Sequence, residues 1–599
     1  MTNSEHMILC YTRKPQEDIL YAKRLAYSMH LAYRAQDGSF VALNHNSGIL
    51  FAKATENADC TMNPKSLKSP CLFALKEGGY GVAAVRVTAD GEPDNESRGK
   101  VLLFQTDDLL QYREVGLLNL KADMFATQIT CEYNSAGNTY VLRWQDEQGR
   151  WHRNDTADIF VLNSASTPAD IEAVTLPVYE TGIEGAIPHN TISIPAEVEA
   201  RLRRRLSTPQ NTSIEVPETI TASSPVELKN FKAKAVYDDG TVQEKAVDWF
   251  GSCANWAKPG VYTLKGSVHQ DRYPFPVAYD RADPCIRKWR DHYYFIATND
   301  ADNNHTLYIR RADSITGLIG AKEVLLLDSS TYDDVKGLLW APEFHVIKGE
   351  LYIFFACTTG EFFREESNVM KLRTGGDPLN RNDWSRPVRV VKKDGSYLCE
   401  AGKTISLDMT VIEGDEYYVA WSERQFLPVD IGAWVYLAKI NPDEPWKLTS
   451  DPILLTKPEY GWENNHTFVD EGPFALKTDR YLFLTFSGAA VDATYVVGLL
   501  TADLNSDLLD PNSWTKCNYP LLTSRSVPGE FGPGHNAYVT DDNGDVWNSY
   551  HARPGVDGPR STGLRRVHFG ADGYPVLDMT DEKDLAPALQ RVSTKLIVE

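Results

Sequence analysis

Five polar residues recur along the second half of the chain at nearly equal intervals, each at the head of a strand–turn–strand pattern. They are Asp283, Glu343, Asp408, Glu471 and His535, separated by 60, 65, 63 and 64 residues. Each is followed by a short apolar run, a polar turn and a second run rich in aromatic residues. If the fold brings these side chains together, they could carry out acid–base chemistry or hold a cation.

A fixed period of strand–turn–strand units is typical of a repeat protein, and four-stranded units arranged radially form a β-propeller. Five copies predict five blades, and the long period leaves room for loops between the strands. Because the first strand of every blade lines the central axis, the recurring side chains should converge on one small volume. Like charges held close together push the carboxyl pKa values apart, as a paired acid and base require.

Composition excludes several classes of function. The net charge of −21 argues against a nucleic-acid or membrane partner and is compatible with an oligosaccharide substrate. No apolar run approaches the ~20 residues of a membrane-spanning helix. The nine cysteines are scattered without a Cys-x-x-Cys pair, so neither a disulfide framework nor a zinc site is expected. The first residues do not resemble a secretory signal, and we therefore expect a cytoplasmic protein.

The pattern divides the chain into four parts, and its fold class is all-β. We expect a β-rich N-terminal accessory module over residues 1–175, a connection with a short helix over 176–211, a small immunoglobulin-like β-sandwich over 212–278 and the propeller over 279–599. The helix should extend from Pro195 to Leu206, since proline suits a first turn and the arginines near its end complement the helix dipole.

The motifs around the recurring residues resemble glycoside hydrolase family 43, which has a five-bladed propeller fold. They are Ala-Asp283-Pro-Cys-Ile, Trp340-Ala-Pro-Glu343, Leu-Asp408-Met-Thr-Val-Ile, Glu471-Gly-Pro-Phe and Gly-His535-Asn, and the resemblance covers about half of the 599 residues. It implies that Asp283 is the general base, that Glu471 is the general acid and that Asp408 orients this acid and tunes its pKa. It also implies hydrolysis with inversion, in which two carboxyl groups about 6.5–9.5 Å apart leave room for a water molecule.

The same resemblance suggests further site residues. It implies that Trp340 contacts the sugar ring, that Glu343 has a structural role and that His535 lies under the site, where it could coordinate a calcium ion. The segment Phe569-Gly-Ala-Asp-Gly573 is similar to the family's closing motif, with Phe in place of Trp, and makes Arg560 the match for a sugar-binding arginine. Three neighbouring arginines remain alternatives for that role: Arg553, Arg565 and Arg566. No cofactor is required for the reaction.

Residues 212–278 resemble the bacterial immunoglobulin-like modules that are attached to glycoside hydrolases. The resemblance rests on Tyr237-Asp-Asp-Gly-Thr241, Trp249 and Pro259-Gly-Val-Tyr-Thr-Leu-Lys-Gly266, and it implies a spacer or positioning module.

Taken together, the motifs predict an exo-acting, inverting glycosidase that releases terminal L-arabinofuranose from arabino-oligosaccharides. A β-D-xylosidase of the same fold is an alternative, because both pentoses present similar hydroxyl groups. A different class also stays open, in which the propeller only binds carbohydrate and catalyses weakly. The modules before the propeller could instead serve oligomerisation, and the oligomeric state is not predicted.

Overall fold

Strands account for almost all regular structure in the computed structural model, which describes residues 6–15 and 23–599. The elements before the sandwich are β1 (Met7–Arg13), α1 (Lys23–Ala26), β2 (His30–Arg34), β3 (Phe40–Ala42), β4 (Thr55–Glu56), β5 (Met62–Asn63), β6 (Lys65–Ala74), β7 (Tyr80–Thr88), β8 (Lys100–Thr106), β9 (Arg113–Asn119), β10 (Ala126–Asn134), β11 (Thr139–Asp146), β12 (Trp151–Thr156), β13 (Ala169–Ile171), β14 (Ala186–Ser193) and α2 (Ala196–Leu206).

In its described residues, the N-terminal module contains three four-stranded antiparallel sheets, with strand orders β14-β1-β2-β3, β6-β7-β8-β9 and β10-β11-β12-β13. Strand β14 pairs with β1 along its whole length, so the first sheet is completed by residues 186–193. The predicted module boundary at residue 175 is therefore wrong, because a strand that follows it supplies one edge of this sheet. The predicted helix agrees with α2, whose last turn carries three arginines.

The immunoglobulin-like module consists of β15 (Asn211–Glu215), β16 (Thr219–Ala222), β17 (Ala233–Tyr237), β18 (Val242–Lys245), β19 (Val247–Trp249) and β20 (Gly260–Val268). A strand from the far end of the chain, β43 (Arg591–Val598), lies between β16 and β20 and pairs with both. The C-terminal residues therefore belong to the sandwich and not to the propeller, which corrects the predicted range 279–599. Their apolar side chains, including Leu596 and Val598, are buried in the sandwich core.

Five successive antiparallel sheets, numbered here as blades one to five, follow in the described residues. Blades one and two contain β21 (Arg281–Trp289), β22 (His292–Asn299), β23 (Thr306–Ala312), α3 (Ile315–Ile319), β24 (Val324–Asp328), β25 (Trp340–Ile347), β26 (Glu350–Thr358), β27 (Glu365–Lys371) and β28 (Val388–Arg389). Blade three contains β29 (Thr404–Ile412), β30 (Tyr418–Gln425), β31 (Gly432–Asn441), β32 (Glu444–Leu448) and β33 (Ile453–Thr456). Blades four and five contain β34 (Asp470–Lys477), β35 (Tyr481–Gly488), β36 (Val496–Asp503), β37 (Trp514–Lys516), β38 (Phe531–Thr540), β39 (Val546–Arg553) and β40 (Ser561–Arg566), followed by β41 (His568–Phe569), β42 (Pro575–Val576) and α4 (Asp581–Asp584).

The blades are arranged around an axis. The first strand of each blade packs against the first strand of the next, and β38 of blade five packs back against β21 of blade one. This arrangement confirms the all-β propeller architecture and places the first strands β21, β25, β29, β34 and β38 at the centre.

Each of these inner strands has a bulge in the same place, where two residues interrupt the pairing with the second strand. The first residue of every bulge has a positive φ between 44° and 57°, and these residues are Asp283, Ala341, Asp408, Gly472 and His535. Bulges of this kind redirect side chains and are frequent beside active sites. Glu471 precedes its bulge and Glu343 follows the bulge start by two residues, so the five recurring polar residues are not strictly equivalent.

The N-terminal module and the propeller share one apolar core. Leu31 of β2 and Phe51, which follows the first sheet, lie in one cluster of buried side chains with Tyr460 and Trp462, between blades three and four, and Phe486 of blade four. The contact is extended by backbone hydrogen bonding, in which the amide of residue 54 donates to the carbonyl of residue 459 at 2.7 Å. The module is therefore part of the folded body of the protein and not a tethered appendage.

Replacing Phe51 by alanine should destabilise the whole protein. The Phe51 side chain is 2% exposed, and removal of such a ring from a core costs about 3–5 kcal/mol. Because the core is shared, we expect a lower Tm with fluorescence and activity lost in a single transition. Val178→Ala, at a side chain that is 94% exposed, is the control and should leave Tm unchanged. An early transition that leaves activity intact would contradict the shared core.

Candidate functional site

A cavity of about 390 Å³ lies at the centre of the propeller, and all five inner strands contribute to its wall. The lining residues are Asp283, Asn304, Trp340, Phe362, Ile405, Leu407, Asp408, Arg424, Ala433, Glu471, Val491, His535 and Arg560. All six predicted site residues are therefore brought together by the fold. The bulges on β21, β29 and β38 supply Asp283, Asp408 and His535, respectively.

Asp283 is held by partners on both carboxylate oxygens. The hydroxyl of Thr298 donates to Oδ2 at 2.7 Å. Oδ1 lies 3.0 Å from Nδ1 of His551, 3.3 Å from Nδ1 of His535 and 3.3 Å from Nη1 of Arg560. The side chain is 6% exposed, so these contacts replace most of its hydration.

The surroundings of Asp283 favour its ionised form. Burial by itself would raise the pKa of this carboxyl, but Arg560 and the two histidines hold it well below its usual range. Burial lowers the pKa of His535 to about 4 and also lowers that of His551. Because both histidines are therefore neutral near pH 7, the guanidinium of Arg560 supplies the permanent positive charge.

Glu471 has the opposite environment. Burial raises the pKa of its carboxyl to about 7, and the negative charge of Asp283 also raises this pKa. The Tyr495 hydroxyl donates a hydrogen bond of 2.8 Å to Oε1, which lowers the pKa and so opposes the rise. Two carboxyl groups in one cavity thus differ in protonation, with Asp283 ionised and Glu471 retaining a proton near neutral pH. Such a pair can accept a proton at one point and donate one at another.

Asp408 contacts the backbone beside Glu471. Its Oδ2 accepts hydrogen bonds from the amide of Gly472 at 3.0 Å and from the hydroxyl of Ser422 at 3.2 Å. Burial, followed by the charges of Glu471 and Asp283, raises the pKa of Asp408 well above its usual range. Asp408 and Glu471 therefore titrate as an interacting pair. Burial is the leading cause of the raised pKa at Glu471, ahead of the carboxylate repulsion that the sequence suggested.

Of the four candidate arginines, Arg560 is the one that lines the cavity. Its guanidinium makes a bidentate pair with Asp300, at 2.9 and 2.8 Å, and extends to Asp283. The three alternative arginines bind elsewhere: Arg553 donates to the carbonyls of Val491 and Gly558, Arg565 pairs with Glu530 and Arg566 pairs with Asp584.

Trp340 and Glu343 have different surroundings although they are three residues apart. Trp340 lines the cavity, and its indole N–H donates to Oδ1 of Asn304 at 2.8 Å. Glu343 does not line the cavity; its carboxyl is buried 2.7 Å from Nε2 of His345. Burial raises the pKa of Glu343, which places this residue in the structural support of the inner strands.

The periodic sequence pattern does not identify several site residues, because they lie on second strands or in loops. They are Thr298, Asn304, Phe362, Ser422, Arg424, Tyr495 and His551. A signal for some of them is present in the sequence: a hydroxyl or histidine follows 14 to 16 residues after the inner-strand residue, at Thr298, Ser422, Ser487 and His551. These residues contact the bulge of their own or a neighbouring blade, as when Ser487 accepts the His535 amide at 2.8 Å.

The cavity has few side-chain groups that could bind a calcium ion. Among the described residues there is no group of three or more His, Cys, Asp or Glu side chains placed to hold a metal. Nε2 of His535 is buried without a hydrogen-bond partner, so this atom could meet one water or ion. Calcium takes six to eight oxygen ligands, and a single imidazole nitrogen does not provide such a site. The side chains present therefore do not fit a calcium ion bound by the protein itself.

The sequence profile described as glycosyl hydrolases family 43 matches residues 273–575, and the profile of the bacterial Ig-like domain (group 4) matches residues 232–270. Over the described residues, no helix is long and apolar enough to pass through a membrane.

Curated relatives and a solved structure are similar over about half of the chain. Alpha-L-arabinofuranosidase B from Pyricularia oryzae is 34% identical, covering 50% of this chain and 63% of that protein. The extracellular exo-alpha-(1->5)-L-arabinofuranosidase of Streptomyces chartreusis is 33% identical, covering 47% of this chain and 82% of that protein. The crystal structure of alpha-L-arabinofuranosidase from Lactobacillus brevis is 30% identical with a TM-score of 0.46, covering 51% of this chain and 95% of that one. The chain thus spans less than two thirds of the Pyricularia protein.

Proposed function

Because the chain belongs to family 43 of the glycosyl hydrolases, we propose that it is an exo-acting, inverting hydrolase that releases terminal L-arabinofuranose from arabino-oligosaccharides. The observation that carries the proposal is the pair of carboxyl groups with opposite protonation in one cavity. Asp283 is ionised beside Arg560, and Glu471 holds a proton with a pKa of about 7. Inverting hydrolysis needs these two states at the same time.

The residues then have distinct roles. Asp283 takes a proton from water as the water attacks the anomeric carbon, and Glu471 gives its proton to the departing sugar oxygen. Asp408 positions Glu471, since it binds the amide of the next residue, Gly472. Arg560 keeps Asp283 ionised and turns N–H groups toward the cavity, while Trp340 offers an aromatic wall to the sugar. No step needs a cofactor.

Initial rates on matched aryl α-L-arabinofuranoside and aryl β-D-xyloside test the choice of glycone. The names of the relatives support arabinofuranose, and we expect fast release from the arabinofuranoside alone. Preference for the xyloside would assign the enzyme as a β-D-xylosidase with the same catalytic residues. Release from neither substrate would contradict the proposal and favour a propeller that only binds carbohydrate.

The pH dependence of kcat/KM should report the two carboxyl groups. Activity should fall as the pH rises through about 7, because Glu471 then loses the proton that it must donate. On the acid side it should persist below the usual carboxyl range, since the pKa of Asp283 is held low.

Tyr495→Phe should move the alkaline limb of this profile to higher pH. The Tyr495 hydroxyl favours the ionised form of Glu471, so its removal raises the pKa of that carboxyl. A hydrogen bond worth ~0.5–1.5 kcal/mol corresponds to roughly half to one pH unit. Tyr538→Phe, which removes a buried hydroxyl that contacts Thr485 outside the cavity, is the control and should leave the limb in place. A shift in the opposite direction would contradict the role of Glu471.

A calcium ion near His535 is not needed for this chemistry. Among the described residues, no three His, Cys, Asp or Glu side chains are grouped so that they could hold a metal ion. Exhaustive treatment with EDTA should therefore leave kcat unchanged. Loss of activity that calcium alone restores would contradict this and would assign a structural cation to the propeller axis.

The cytoplasm is the proposed site of action, with imported oligosaccharides as substrates. This location is supported by the nine cysteines, all of which are free, since thiols persist in reducing compartments. The name of the Streptomyces chartreusis relative, an extracellular enzyme, points the other way. Fractionation of the native cells decides the matter, and recovery of the activity from the medium would contradict the proposal.

A further inference from the structure

Beside the cavity lies a patch of exposed apolar side chains, here called the aromatic rim. It consists of Phe362, Phe363, Phe426 and Leu427. The exposed fractions of Phe362, Phe363 and Leu427 are 41%, 45% and 52%. Large apolar side chains grouped in this way at a cavity mouth mark a binding surface.

The rim is organised by contacts among its own rings. The centroid distances are 5.2 Å between Phe362 and Phe363, 5.6 Å between Phe362 and Phe426 and 5.1 Å between Phe363 and Phe426. The interplanar angles of 89°, 67° and 86° are edge-to-face geometries, which are favourable for aromatic pairs. The rings therefore support one another while two of them stay open to solvent.

The rim is continuous with the catalytic cavity at two points. Phe362 belongs to the cavity wall and contacts the Trp340 ring at a centroid distance of 6.0 Å. Arg424, which also lines the cavity, has its guanidinium 4.9 Å from the ring centroid of Phe426. Arg424 lies on β30, which packs against β34, the strand that carries Glu471, so the rim adjoins the side of the cavity where the proton donor lies. The sugar that departs with this proton must leave on the same side.

We propose that the aromatic rim binds the pentose unit to which the released arabinose is attached, and so selects oligosaccharides over glycosides with small leaving groups. This inference rests on the proposed function of the cavity. The rim adjoins the catalytic cavity, and this determines what binds there. When the end unit of an oligosaccharide fills the cavity, the next unit extends past Glu471 onto Phe362 and Phe363. The apolar face of a pentose ring can pack on these aromatic rings while its hydroxyl groups stay in water.

The test compares kcat/KM on two substrates, α-(1→5)-linked arabinotriose and methyl α-L-arabinofuranoside. The methyl group is too small to reach the rim. Phe363→Ala is the main variant because Phe363 does not line the cavity. We expect a loss of about tenfold on arabinotriose, equivalent to ~1.4 kcal/mol, and a change of less than about twofold on the methyl glycoside. The loss should fall mainly on KM, and Phe363→Tyr should retain the wild-type values.

Phe250→Ala is the matched control, since Phe250 is also an exposed aromatic residue, 38% exposed, but lies in the immunoglobulin-like module. It should affect neither substrate. Equal losses on both substrates, or no loss on either, would overturn the role of the rim while leaving the proposed function intact. A changed oligomeric mass of Phe363→Ala with unchanged rates would assign the rim to contact between copies of the chain and overturn the proposal. Inactivity of the wild type on both substrates would refute the proposed function and this inference with it.

Discussion

Replacement of Glu471 by glutamine is expected to reduce kcat on arabino-oligosaccharides by about 10²–10⁴-fold, the range that a positioned general acid contributes. Glutamine keeps the shape of the side chain and can still meet the Tyr495 hydroxyl, but it has no proton to give to the departing oxygen. The loss should be much smaller on 4-nitrophenyl α-L-arabinofuranoside, because nitrophenolate leaves without protonation. The alkaline limb of the pH profile should also disappear.

Glu343→Gln is the matched control for this experiment. Glu343 is another buried glutamate on an inner strand, but it contacts His345 and does not line the cavity. Its replacement should not change the ratio of rates between good and poor leaving groups. If Glu471→Gln lost the same factor on both substrates, Glu471 would not be the proton donor. If it hydrolysed oligosaccharides at the wild-type rate, the proposed mechanism would be wrong.

Asp283→Asn should lower kcat by a similar factor, about 10²–10⁴, but on every substrate alike. Asparagine cannot accept a proton from the attacking water, and this step is needed whatever group departs. The substitution also removes the negative charge that faces Arg560, His535 and His551. Initial rates on aryl and oligosaccharide substrates, measured on protein whose Tm has been checked, give the comparison.

Asp300→Asn serves as its control, because Asp300 is the other carboxylate partner of Arg560. An amide can still accept a hydrogen bond from this guanidinium, so a loss of about tenfold or less is expected. If Asp283→Asn behaved like Asp300→Asn, Asp283 would be one more anchor for Arg560 and another group would have to activate the water. If its loss depended on the leaving group, Asp283 would have the role assigned to Glu471.

The period of the polar residues was sufficient to predict the propeller and to identify side chains that meet in its cavity. Asp283, Asp408 and His535 occupy the same bulge position on their strands. The expectation that the polar residues of all five repeats have equivalent positions facing the cavity was less accurate. Glu471 comes one residue before its bulge and remains in the cavity, whereas Glu343 comes after its bulge and is buried beside His345. A shift of one residue along a strand turns a side chain to the opposite face, and periodicity with a tolerance of several residues cannot resolve such a shift.

Long-range pairing was the part that the sequence did not reveal. Strand β43 pairs with β16 and β20 across more than 320 residues, and β14 returns to pair with β1. Because of these pairings, two domain boundaries differ from those predicted. The local sequence of a short strand does not indicate which distant strand it pairs with. The N-terminal module was recognised as β-rich, but its burial against Trp462 depends on apolar residues that look the same in an isolated domain. Strand β6 of the N-terminal module also has a bulge with a positive φ at Ser69, yet no acidic residue lies there.

The stereochemistry of the first product tests the central claim most directly, namely that Asp283 and Glu471 act as base and acid from one cavity. Proton NMR of the reaction with α-(1→5)-linked arabinotriose, recorded in the first minutes, follows the anomer of the released arabinose. Attack by a single water activated at Asp283 predicts β-L-arabinofuranose as the first product, with the α anomer appearing later by mutarotation. Initial release of the α anomer would show a covalent intermediate and would contradict this account.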